Sequence, residues 1–226
     1  METIRKLKGK IIISSQAMPG EPFYNEIAML AMMKSAVNGG ASALRVAGTR
    51  DVKLAKSLGV TVIGLTKPDK LPENWKGVVY ITPTIEDVKS LIDAGADIIA
   101  FDGTSRQRPD GKDLKNTIEF IHSNNRLAMA DISTLEEGIN CSNLGADIIS
   151  TTLAGYTEIT DSGLETPDFE LLEKLVKSIS KPVFLEGRVW YPDEVKKAFE
   201  LGAHSVVIGS AVTRPHLITK RFINAI

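Results

Sequence analysis

Two residues draw attention by their surroundings. Lys67 closes the run VIGLTK immediately before Pro68, and Glu186 closes the run VFLE immediately before Gly187. A carboxylate hemmed in by apolar residues and glycine is costly to bury without a purpose, and loss of water raises its pKa. A lysine after a buried strand is either a solvated loop charge or an amine at the mouth of a pocket. As a pair, such groups suit proton transfer at a carbon next to a carbonyl. The amine alone equally suits attack on a carbonyl. Other polar residues end or interrupt apolar runs in the same way: Gln16 after KIIISS, Arg45 inside ALRVAG, Asp102 after DIIAF, Asp131 after LAMA, and Thr151 and Thr152 after DIIS. For three of these a structural role stands beside the chemical one. Asp131 or Asp102 can cap a loop or helix, and Arg45 can pair with either.

A second signal lies near the C-terminus, in EGRV (186–189) and IGSAVTRP (208–215). Gly187, Gly209 and Ser210 let backbone N–H groups approach an anion, and Arg188 and Arg214 are placed to add a charged fork. A phosphate-bearing small molecule fits this pattern, although either glycine alone also suits a tight turn.

Several classes of function are disfavoured. The net charge of −1 over 226 residues does not point to nucleic acid or an anionic membrane. No apolar stretch nears the roughly 18 residues a bilayer span needs. His122, His204 and His216 are scattered without metal-ligand spacing. There is no Gly-x-Ser-x-Gly or P-loop motif, and neither a metal nor an organic cofactor is expected. The only cysteine, Cys141, rules out an internal disulfide and suits a reducing cytoplasm.

The elements that must position these residues follow from a repeated phrase. GASALRV (40–46), GADIIAF (95–101), GADIIST (145–151) and GAHSVVI (202–208) recur at spacings of 55, 50 and 57 residues. Each reads as a helix ending on a left-handed glycine, followed by a buried strand. Between them lie four more apolar runs, 10–14, 60–65, 126–130 and 182–186, of the kind expected for parallel strands covered on both faces. Helical patterns fill 23–38, 50–58, 84–94, 113–123, 134–143, 168–179, 192–201 and 213–225. Thr84 and Ser133 or Thr134 serve as N-caps. VVYI (78–81) reads as a ninth, inserted β-piece. Eight strands alternating with eight helices predict a single (β/α)8 TIM barrel over residues 1–226, with an open doubly wound sheet as the alternative. In such a barrel the polar residues above all fall at the C-terminal strand ends, where catalytic groups lie.

With these residues laid out, the sequence resembles the bacterial N-acetylmannosamine-6-phosphate 2-epimerases, barrels of the ribulose-phosphate-binding type. The segments carrying the resemblance run along the whole chain. They include GGASALRVAG, IGLTK, GADIIAFDGTSRQRP, MADIST, GADIISTTLAGYT, EGRVWYPDE and GAHSVVIGSAVTRP. The resemblance implies interconversion of N-acetylmannosamine 6-phosphate and N-acetylglucosamine 6-phosphate in aminosugar and sialic acid catabolism. It implies that Lys67 is the base and Glu186 the acid assisting ring opening. Gln16, Arg45 and Asp131 would contact the substrate, with Arg214 at its phosphate. It also implies a homodimer joined partly through the C-terminal helix region, and the composition read above places it in the cytoplasm. Two rivals stand beside it: a Schiff-base sugar-phosphate lyase using Lys67, and a non-catalytic sugar-phosphate-binding barrel.

Overall fold

A computed structural model describes residues 2–161 and 163–226 of the chain. Its sheet is β1 (Lys10–Ser15), β2 (Ala43–Ala47), β3 (Thr61–Leu65), β4 (Ile98–Asp102), β5 (Leu127–Asp131), β6 (Ile148–Ser150), β7 (Val183–Glu186) and β8 (Ser205–Ile208). The strands pair in parallel in sequence order, and β8 closes onto β1. The helices are α1 (Glu2–Leu7), α2 (Glu26–Asn38), α3 (Thr49–Lys56), α4 (Ile85–Asp93), α5 (Leu114–Ser123), α6 (Leu135–Asn143), α7 (Phe169–Ser178), α8 (Pro192–Glu200), α9 (Ser210–Thr213) and α10 (Pro215–Ile223). This is the (β/α)8 barrel expected from the repeat. Gly40, Gly95, Gly145 and Gly202 take φ of 100°, 96°, 102° and 95°, so each phrase does turn on a left-handed glycine. Thr84 and Thr134 are N-caps in full capping boxes with Asp87 and Glu137.

Strand alternation sorts the side chains into two apolar layers and one polar one. Outward residues such as Leu44, Val46, Ile99 and Leu185 pack beneath the helices. Inward residues such as Ile12, Ile63, Met129 and Phe184 fill the barrel. Two residues further along β1, β5 and β7 the inward positions become polar, while β3 keeps an apolar Leu65. Here Ser14 stands beside Arg45, Asp102 beside Asp131, and Asp131 beside Ser150. The functional layer is therefore the barrel's own last interior layer.

Three elements differ from the sequence reading, the last helical stretch being divided at Arg214 into α9 and α10. Residues 78–81 form no strand. Ile81 O accepts from Asp102 N (3.1 Å) and Thr82 N donates to Thr66 O (3.0 Å), so the segment runs across the barrel mouth between β3 and β4 on single contacts. The charged N-terminus forms α1, which had no expected counterpart. Its Ile4 and Leu7 cap the bottom of the interior cluster, and Ser205 Oγ donates to Leu7 O (2.6 Å).

β3 reaches its neighbours only because Gly64 has no side chain. A Cβ there would lie 2.9 Å from Ala96 Cβ, 3.1 Å from Val52 Cγ2 and 3.3 Å from Leu91 Cδ2. We expect Gly64→Ala to destabilise the protein by about 1–3 kcal/mol through overpacking. Urea unfolding of the variant against the parent checks this, and equal midpoints would contradict it.

Candidate active site

Arg45 projects from β2 into the barrel and is completely buried. It meets Asp131 of β5 through two parallel bonds, Nη1 to Oδ1 at 3.0 Å and Nη2 to Oδ2 at 2.6 Å. Its Nη1 also lies 3.0 Å from Glu186 Oε2 on β7. Thr152 Oγ1 stands 2.7 Å from Asp131 Oδ1 and 3.0 Å from Glu186 Oε2, so one hydroxyl proton serves both carboxylates. The planar guanidinium fork suits this arrangement, because a lysine has no second parallel donor pair.

Above this cluster opens a cavity of about 410 Å³, within the range of small-molecule sites. Lys67, Glu186, Gln16, Gly187, Arg188, Gly209, Ser210 and Arg214 all line it. Arg45 and Asp131 do not; they lie one layer below and reach it through Glu186 and Thr152. Lys67 follows β3 and Glu186 ends β7, strands four apart in a closed ring of eight, so the two groups face each other across the opening. Burial, reinforced by the nearby charge of Arg45, brings the Lys67 amine down to about 8. Burial pushes the Glu186 carboxyl above the usual carboxylate range, against the pull of Arg45.

Arg188 and Arg214 are engaged separately and form no joint fork. Arg188 donates from Nε to Thr166 O and from Nη2 to Ala154 O, both at 2.9 Å, and stacks 4.9 Å over the Tyr156 ring. Its guanidinium thus holds the β6–α7 connection. Arg214 pairs with Glu21, Nη1 to Oε1 at 2.8 Å, at the edge of the cavity. Gln16 Nε2 donates to Ser14 Oγ (2.9 Å). Asp131 caps no helix. Asp102 accepts from Thr104 N and Oγ1 at 3.0 and 2.6 Å and pairs with Arg106 Nη2 at 2.6 Å, outside the cavity wall. Cys141 is buried, its thiol pushed up to about 12 by burial. Among the described residues no cluster of His, Cys, Asp and Glu is able to hold a metal ion, and no helix is long and apolar enough to cross a membrane.

The aromatic part of the wall was missed. Trp75, Tyr80, Tyr156 and Trp190 line the cavity, as does Ser14. Residues 71–77 have no helical or strand period, and 78–81 read as a strand that the fold does not form, so nothing in the pattern aims these rings inward. The small hydroxyl of Ser14 gave no more signal than the rest of its strand.

Residues 29–226 match the family model described as "Putative N-acetylmannosamine-6-phosphate epimerase". A Clostridioides difficile protein named "Putative N-acetylmannosamine-6-phosphate 2-epimerase" is 46% identical over 222 residues, 98% of this chain and 97% of that one. The solved structure of the N-acetylmannosamine-6-phosphate 2-epimerase from Clostridium perfringens matches with a TM-score of 0.93 at 43% identity, covering 99% of this chain and 96% of its own. A deoxyribose phosphate aldolase from Aeropyrum pernix matches with a TM-score of 0.67 at 16% identity, over 98% and 94% of the two chains, a likeness of fold alone.

The lowered Lys67 value carries a consequence for stability. A folded-state pKa of about 8, below the ordinary ~10.4 of lysine, means stability that is fully present above the higher value and lost as pH falls through the lower. At pH 7 the ammonium therefore opposes folding. Lys67→Met should raise stability at pH 7 by on the order of 1–3 kcal/mol, the gain shrinking as pH climbs from 8 towards 10. Urea titrations at pH 7 and 9.5 test the sign; a loss of stability at pH 7 would show that the amine is not desolvated.

Proposed function

The chain belongs to the N-acetylmannosamine-6-phosphate epimerase family, and from that premise we propose that it interconverts N-acetylmannosamine 6-phosphate and N-acetylglucosamine 6-phosphate, with Lys67 and Glu186 as its proton-transfer groups. The observation that carries the residue assignment is their placement: an amine brought towards neutrality and a carboxylate brought towards protonation face each other across one cavity.

The two sugars differ at carbon 2, whose proton becomes acidic only when carbon 1 is an open aldehyde. Glu186 moves a proton between the carbon 1 hydroxyl and the ring oxygen, and the ring opens. Neutral Lys67 takes the carbon 2 proton and becomes an ammonium, leaving an enolate with its charge on the carbon 1 oxygen. The ammonium returns the proton to the opposite face after the planar enolate turns, and ring closure completes the exchange. At a pKa of about 8 the amine is neutral in about one molecule in ten at pH 7, against ~1 in 2,500 for an unperturbed lysine. Arg45, held beneath the site, opposes charging of Lys67 and favours the anionic enolate. The turns at Gly187 and at Gly209 with Ser210 offer backbone N–H groups to the phosphate. Arg214 adds its charge, and Gln16 a polar contact to the sugar. The reading extends to sialic acid and aminosugar catabolism in the cytoplasm, with residues 1–226 as one barrel domain.

The same reading includes a homodimer. Phe222 (75% exposed), Ile223 (61%) and the fully exposed Ile226 crowd the end of α10, beside Tyr191 (57%). An apolar group of this kind on a barrel surface suits burial against a second copy.

Proton NMR of N-acetylmannosamine 6-phosphate with the protein in D₂O tests the chemistry. The carbon 2 epimer should appear with deuterium at that carbon; the absence of both epimer and exchange would refute the reading. Lys67→Ala and Glu186→Gln should each lose about 10²–10⁴-fold in turnover with unchanged circular dichroism, and kcat/KM should rise with pH to a limb near about 8. Borohydride added during turnover should trap no adduct at Lys67, whereas a lyase would be trapped. For the dimer, Phe222→Glu with Ile223→Glu should halve the mass seen by sedimentation, and a monomeric parent protein would remove the proposal.

A further inference from the structure

The cavity has two chemically different sides. On the β7–β8 side stand Gly187, Gly209, Ser210 and Arg214, offering backbone amides and a cation. From the β3–α4 connection come Leu71, Trp75 and Tyr80, while Tyr156 of the β6–α7 connection belongs to the β7 side, its ring under Arg188. Because β3 and β7 are four strands apart in a closed ring of eight, these sides face each other.

The aromatic side is firmly built. The Trp75 and Tyr80 rings meet edge to face, 6.0 Å between centroids at 82°. Arg106 lies 6.0 Å over the Tyr80 ring. It is anchored on buried Asp102 at 2.6 Å and donates to Lys76 O at 2.9 Å. Lys76 in turn pairs with Asp161 of the β6–α7 connection. Tyr80 is only 9% exposed, and its hydroxyl, bonded to no described residue, opens on the cavity and is free to donate into it. Burial and the neighbouring Asp102 raise the phenol's pKa, so it stays a donor.

A hexose 6-phosphate laid across this cavity has a defined far end. Carbon 2 lies directly across the pyranose ring from carbon 5, which carries carbon 6 and the phosphate. With the phosphate at the β7–β8 turns, carbon 2 and its substituent point to the β3 side, where Lys67 also stands. An acetamido group presents a methyl and a carbonyl acceptor, and that wall presents apolar rings and an unpaired hydroxyl. We propose that Trp75 and Tyr80 form the acyl subsite, the acyl methyl packing on Trp75 and Leu71 and the Tyr80 hydroxyl donating to the acyl carbonyl. The subsite rests on the epimerase reading above and deepens it: the wall selects 2-acylamino sugars over 2-hydroxy ones.

Calorimetric titration with N-acetylglucosamine 6-phosphate, glucose 6-phosphate and inorganic phosphate tests this on the parent protein and on Tyr80→Phe and Trp75→Ala. The parent should bind the acylated sugar about tenfold or more tighter than glucose 6-phosphate. Tyr80→Phe should weaken the acylated sugar about 3–10-fold, the worth of one hydrogen bond, and Trp75→Ala by more. Both should leave glucose 6-phosphate and phosphate within about twofold. Equal losses for both sugars, or an acyl preference untouched by both variants, would overturn the subsite; Tyr80→Phe keeps the ring, so a misfolded Trp75→Ala does not blur the result. Turnover in D₂O without acyl discrimination would sink the subsite alone. Acyl discrimination without turnover would sink only the epimerase reading, and absence of both would sink the two together.

Discussion

The bond from which the rest of the site follows is the buried fork between Arg45 and Asp131. A guanidinium with no exposed surface, closed on one carboxylate by bonds of 3.0 and 2.6 Å and touching a second at 3.0 Å, fixes β2, β5 and β7 relative to one another. Such clusters are poor sources of net stability, since stripping water from the charges offsets most of their attraction. Their value here is positional. Without Arg45, two carboxylates would share a dry interior with only the more distant Lys67 to oppose their charge, and Glu186 would be held at the cavity floor by Thr152 alone.

That fork also explains where the barrel stops being a core and becomes a site. Along β2 the alternation of Ala43, Arg45 and Ala47 towards the interior is interrupted by one charged residue, and β5 and β7 answer it with Asp131 and Glu186. Below this level the interior is filled by Ile12, Ile63, Met129 and Phe184 and sealed by α1. Above it the glycine-rich turns begin, with Gly187 at φ 110° and Arg188 at φ 56° bending the chain over the cavity. Stability is concentrated in the lower layers and chemistry in the uppermost one, so the loops can carry aromatic and polar groups without disturbing the core.

The sequence made the strand ends readable because each is a break in an apolar run. Lys67 and Glu186 sit at such breaks, and so do Arg45 and Asp131, whose mutual pairing needed the barrel's closure to appear: they are 86 residues apart. The repeat glycines were readable for a different reason, a backbone conformation that few other residues adopt. What stayed hidden lacks any periodic frame. Tyr80 belongs to a segment that resembles a strand in composition but makes single hydrogen bonds to two neighbours, so its ring direction is set entirely by tertiary contacts. Sequence equally cannot reveal that loop carbonyls of Thr166 and Ala154 take the Nε and Nη2 donors of Arg188, which lines the cavity all the same. The short α1 was hidden by its own charges, since only Ile4 and Leu7 face inward.

The same guanidinium acts unequally on the two groups that meet across the cavity. Burial alone drives Lys67 and Glu186 towards their neutral forms, the amine losing a proton and the carboxylate gaining one. Arg45 adds to burial at Lys67, because one cation beside another is unfavourable. At Glu186 it works against burial, because an anion beside it is favourable. An equally dry site without Arg45 would lower the amine less and raise the acid more, leaving a carboxyl group reluctant to release its proton in the ring opening proposed above. With Arg45 present, the amine moves far from its ordinary value while the acid is restrained. Proton transfer in both directions requires just such a pair, neither partner holding its proton too firmly.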